Sequence, residues 1–74
     1  MEYTVIFHQA EEGGYWAEVP ALPGCYSQGE SIEETVKNVR EAIEAHIEAL
    51  KEEGQDIPEE GEFLIGKIKV ALAG

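Results

Sequence analysis
The chain contains one cysteine, two histidines and only five basic residues, and each scarcity closes off a kind of chemistry. One cysteine cannot form an intramolecular disulfide, and no Cys/His spacing resembles a metal site, so neither a metal nor another cofactor is expected. Five lysines and arginines face sixteen acidic residues, for a formal charge of −11. A phosphate backbone is a poor partner for such a chain, because nucleic-acid affinity rests on clustered cations. Direct binding to nucleic acid is therefore not expected, whereas a basic protein is a favourable partner. No window approaches the roughly 18 apolar residues of a membrane span. The N-terminal "MEYTVIFHQ" lacks both a basic region and a long apolar run, so no signal peptide is visible. The expectation is a soluble, cytoplasmic protein without a membrane partner.

What is present suffices for a fold. An apolar fraction of 43% over 74 residues suits one small globular domain. A chain of this size buries only about 60–65% of its unfolded surface, and such domains often gain stability by oligomerising. "EYTVIFHQ" (Glu2 to Gln9) alternates as a strand, with Tyr3, Val5 and Phe7 on one face and Thr4, Ile6 and His8 on the other. "AEEGG" reverses the chain, and "YWAEVP" returns with Tyr15, Ala17 and Val19 opposite Trp16 and Glu18, completing a β-hairpin. In "VPALPGCYSQGES", Pro20 ends the second strand's ladder and Pro23-Gly24 forms the centre of a type II turn. "CYSQ" is then a third short strand. Ser31, three residues before Glu34, marks a capping box. From there Ile32, Val36, Val39, Ile43, Ile47 and Leu50 form one helical apolar stripe, and Gly54 ends it. After the polar loop "QDIPEEGE", "FLIGKIKVAL" reads as a final strand, with Leu64, Ile68, Val70 and Leu72 on one parity.

The order β-β-β-α-β predicts an α+β, two-layer domain. An antiparallel meander is joined by a last strand parallel to the first, and the helix crosses over one sheet face. The helix stripe should pack on Tyr3, Val5, Phe7, Ala17, Val19, Leu64, Ile68 and Val70. By alternation, Ile6, His8, Trp16, Glu18, Phe63 and Ile65 then point from the open face, which is the candidate partner or dimer interface.

The same residues offer little to an enzyme. A cysteine nucleophile needs a base or a positive environment, whereas Cys25 lies in an acidic chain and reads as a small buried hydrophobe. His8 ends the first strand, and His46 lies at the margin of the helix stripe. The glutamate pairs Glu11/Glu12, Glu33/Glu34, Glu52/Glu53 and Glu59/Glu60 fall in turns or on the helix exterior, away from any cleft that would separate their pKa values. A two-metal nuclease would want acids on the first strand, and "TVIF" has none. No catalytic residue is assigned.

In order, "YTVIF", "GGYWAEVPALPGCYSQGES" and "IEETVKNVREAIEAHIEAL" resemble the N-terminal domain of HicB-type antitoxins, over about residues 3 to 58. The resemblance implies a partial ribonuclease-H-like fold without that enzyme's acidic site. It also implies binding to a HicA toxin, a small basic ribonuclease, and blocking of its access to messenger RNA. The family's C-terminal DNA-binding module has no counterpart within residues 1–74, which read as a single HicB-like domain. Two expectations follow. The first is a non-enzymatic antitoxin module masking a HicA-like toxin or another small basic protein. The second is a homo-oligomeric interaction protein, a dimer in the first instance, without a surviving toxin partner.

Overall fold
The computed structural model describes residues 1–61 and 64–73. Three strands, β1 (Ile6–Gln9), β2 (Tyr15–Glu18) and β3 (Tyr26–Gly29), precede one helix, α1 (Ile32–Glu52). The sheet order is β1-β2-β3, and both pairings are antiparallel. Ile6 faces Glu18 and His8 faces Trp16 across the first pair; Trp16 faces Gln28 and Glu18 faces Tyr26 across the second. This register assigns Ile6, His8, Trp16, Glu18, Tyr26 and Gln28 to one sheet face, and the opposite parity to the helix side. The expected α+β meander with one helix on one face is therefore present.

The link between β2 and β3 is two consecutive turns. Leu22 N–H donates to Val19 O and Cys25 N–H to Leu22 O, both at 3.0 Å. Gly24, at φ 86°, supplies the positive dihedral that a type II turn requires at its third residue. The turns drive Leu22 inward until it is 0% exposed, with Cys25 at 4% beside it. Together with Ala17, Val19 and Val39 they form the core, against which Tyr3, Val5, Ala42 and Ile43 pack.

Helix α1 begins where the sequence places it. Ser31 Oγ accepts from Glu34 N–H at 3.1 Å, the Ser31 half of the expected capping box. It ends in a Schellman motif, with Gln55 N–H donating to Leu50 O (2.9 Å) and Gly54 N–H to Lys51 O (3.1 Å). The helix lies on β3 and β2 rather than over β1. Gly29 explains this placement: a Cβ there would stand 2.7 Å from both Thr35 N and Thr35 Oγ1. Glycine thus lets the first helical turn settle on the end of β3, and Thr35, fully buried, returns its hydroxyl to Ser31 O at 2.7 Å.

β1 is shorter than expected. Its residues 2–5 run past the end of β2, because Thr4 would next face Pro20, which has no N–H to offer. They are held by the loop after α1 instead. Tyr3 OH donates to Pro58 O at 2.6 Å, and the Glu60 carboxylate accepts from both Thr4 N–H and Thr4 Oγ1, the latter at 2.9 Å. The polar loop after α1 therefore returns to the residues that precede β1.

The final strand expected at 63–72 is not formed over its described residues. Residues 64–73 carry no strand or helix and are exposed throughout. Leu64, Ile68 and Val70, expected in the core, are 100%, 88% and 70% exposed. A strand exists only through pairing, and this segment leaves the body instead of lying along β1. The Cα radius of gyration, 15.2 Å, accordingly exceeds the roughly 11 Å of a compact chain of this length. A groove of about 610 Å³ stays open between Tyr3, Val5 and Phe7 on one wall and Val36, Ile43 and Ile47 on the other. Phe7, expected beneath the helix, is 37% exposed at its edge.

Candidate protein-binding face
The sheet face turned away from α1 collects the side chains that alternation assigns to it. His8 and Trp16 sit directly opposite each other, and their rings stack at 4.0 Å between centroids with 13° between planes. Tyr26 extends the series from β3, its ring 6.3 Å from that of Trp16 and tilted by 50°. A diagonal aromatic strip thus crosses all three strands. Cross-strand pairs of this kind contribute about 0.2–1 kcal/mol each, a modest bias of the rings toward this arrangement.

Glu18 lies diagonally across from His8, and its Oε2 is 2.8 Å from His8 Nε2. An ionised carboxylate only accepts, so Nε2 carries the hydrogen. Both side chains remain about one-third exposed. The contact orients the imidazole against Trp16 and leaves the strip wet at its margin. Ile6, half-buried, occupies the row beyond, facing Glu18.

Of the six residues assigned to this face from sequence, the structure brings four together: Ile6, His8, Trp16 and Glu18. Ile65 belongs to the exposed C-terminal segment, 71% exposed, and Phe63 lies outside the described residues. Tyr26 was missed, although the signal was available. If Cys25 is buried, alternation through "CYSQ" sends Tyr26 to the open side.

Of the reactive candidates, His8 is part of this strip, whereas Cys25 and His46 are placed away from it. Burial pushes the Cys25 thiol above its ordinary pKa, which favours the neutral form over the nucleophilic thiolate. His46 is half-buried on α1. Among the described residues, no group of three His, Cys, Asp or Glu side chains could hold a metal ion. No helix among them is long and apolar enough to cross a membrane. Of the paired glutamates only Glu60 departs from the surface role expected of it, through its clamp on Thr4. Helix α1 exposes Glu33, Glu34, Glu41, Glu44, Glu48 and Glu52, so much of the negative charge is carried by the helix layer.

Residues 3–68 match a family model described as the HicB-like antitoxin of bacterial toxin–antitoxin systems. A UPF0150 protein of Thermoplasma acidophilum is 50% identical over 58 residues, covering 78% of this chain and 84% of that one. Among solved structures, the N-terminal domain of the Burkholderia pseudomallei antitoxin HicB superposes with a TM-score of 0.67 at 39% identity. That match covers 90% of this chain and 73% of the other. A HicA3–HicB3 toxin–antitoxin complex matches with a TM-score of 0.69 at 31% identity, over 82% of this chain and 70% of the matched one.

Proposed function
The chain belongs to the HicB-like antitoxin family of bacterial toxin–antitoxin systems, and from that premise we propose that it binds and masks a small basic toxin of the HicA type. The observation that carries this reading is the similarity to a HicB antitoxin solved in complex with its HicA toxin. The open face supplies the contact surface: an aromatic strip of His8, Trp16 and Tyr26 rimmed by Glu18. Rigid, partly exposed aromatics are the side chains that most often anchor protein interfaces. The net charge of −11 draws a basic toxin in and repels its RNA substrate, so electrostatics chiefly speeds encounter while the aromatic strip sets the lifetime of the complex. In this reading the chain performs no catalysis and does not itself contact nucleic acid. It acts in the cytoplasm, where messenger RNA is the toxin's substrate.

The test is binding of a purified HicA-type toxin, read together with the toxin's cleavage of RNA. One antitoxin chain per toxin is expected to abolish cleavage, with affinity falling as salt rises. Replacing Trp16 and Tyr26 by alanine is expected to weaken binding at least about tenfold, since loss of an interface anchor typically costs more than 1 kcal/mol. Full inhibition by the double variant removes the open face from the proposal, and absence of any complex at low salt overturns it.

A further inference from the structure
The groove between β1 and α1 and the exposed segment 64–72 are complementary in three respects. The groove is lined mainly by apolar side chains, from Val5 and Phe7 to Ile43 and Ile47, with the exposed Arg40 and Glu44 beside them on the helix wall, and the segment presents Leu64, Ile68, Val70 and Leu72 on a single parity. Among the described residues β1 is an edge strand whose outer side pairs with no other strand, while the segment forms no strand of its own. Charge also matches. All sixteen acidic residues precede residue 63, whereas the segment carries Lys67 and Lys69 and no acid.

We infer that two copies of this chain exchange these segments, each laying residues 64–72 along β1 and into the groove of the other. The occupant is a second copy because the chain's own segment lies off the body, with Leu64 and Leu72 100% and 91% exposed, and leaves its own groove open. Groove and segment sit on the same chain, so an exchange about a two-fold axis is reciprocal and closes at two copies, whereas a one-way exchange would run on as an open chain of copies. Each copy gains a fourth strand, paired backbone at the β1 edge, and cover for Phe7. On the segment's other parity, Lys67 and Lys69 emerge on the open-face side of the sheet. The inference is independent of the antitoxin reading, since it concerns self-assembly without a toxin.

Sedimentation of the full chain without toxin is expected to give a dimer. In a mixture of isotopically labelled and unlabelled chains, NMR contacts are expected between the methyls of Ile68 or Val70 on one chain and Val5, Phe7 or Ile43 on another. Val70→Asp is expected to raise the dimer dissociation constant at least about tenfold, because it buries an unpaired charge, while Trp16→Ala leaves it unchanged. A monomeric wild-type chain overturns the inference. So do the same methyl contacts found only within single chains, or a dimer that shows none of them.

Discussion
The β3 side and the β1 side of the helix layer are built from the same kinds of residue and end in opposite states. Under the β3 side, Ala17, Leu22 and Thr35 are fully buried and Val19, Val39 and Cys25 nearly so. On the β1 side, Tyr3 and Val5 are half-covered, and Phe7 borders an open groove. Hydrophobicity does not separate the two, since Phe7 is more apolar than Thr35. Approach distance does. Gly29 has no side chain, so α1 comes down onto β3, and a helix tilted toward one edge of a three-stranded sheet uncovers the other. Burial in so small a domain is decided by where one helix is allowed to sit.

Leu22→Ala attacks the closed side directly and carries the largest expected effect, a loss of about 3 kcal/mol in chemical denaturation, as for other fully buried leucines. Gly29→Ala comes next, at about 2 kcal/mol. The new methyl meets helix backbone, which cannot rotate away, so a variant of unchanged stability would show that this contact does not set the helix position. Phe7→Ala probes the open side. At dilutions that keep the chain monomeric, it should cost only about 1 kcal/mol, because the ring is already part-exposed. A cost equal to that of Leu22→Ala would mean that the two sides do not differ.

The smallest effect is a pH dependence. Burial raises the Cys25 pKa in the folded state, so the unfolded chain gives up the thiol proton first. The associated stability is complete below the unfolded thiol pKa, about 8.5, and is lost as pH rises through the folded one. Cys25→Ala should flatten this decline relative to wild type. Parallel pH profiles of the two chains would show that Cys25 is not buried in solution.

Much of this arrangement is legible along the chain because its causes are local. The Pro23-Gly24 turn, the Ser31 cap, the Gly54 terminus and the hairpin each depend on hydrogen bonds between near neighbours. The alternation that brings His8, Trp16 and Glu18 to one face needs only a period of two. Leu22 and Thr35 escaped notice for the complementary reason. Leu22 stands alone between two prolines with no periodic partner, and Thr35, three residues after Ile32 and four before Val39 on the buried face of the helix, is polar. Only contact across the fold reveals that both are fully buried. Glu60 reads as a surface acid until the loop carries it to Thr4.

The last strand marks the boundary most clearly. Its alternating apolar pattern and its opposite charge are properties of the residues, and they equip the segment to pair. Whether it pairs depends on an edge that sequence alone does not position. By itself the sequence determined the hairpin, the turn after it, the helix with its caps and the alternation of the open face, because periodicity and capping act within a few residues. The tertiary structure decided that the helix rests on β2 and β3, that the β1 edge stays open, and that the aromatic strip faces out. Those outcomes turn on contacts between residues distant in the chain, above all the close approach of Gly29 to Thr35 and the inward turn of Leu22.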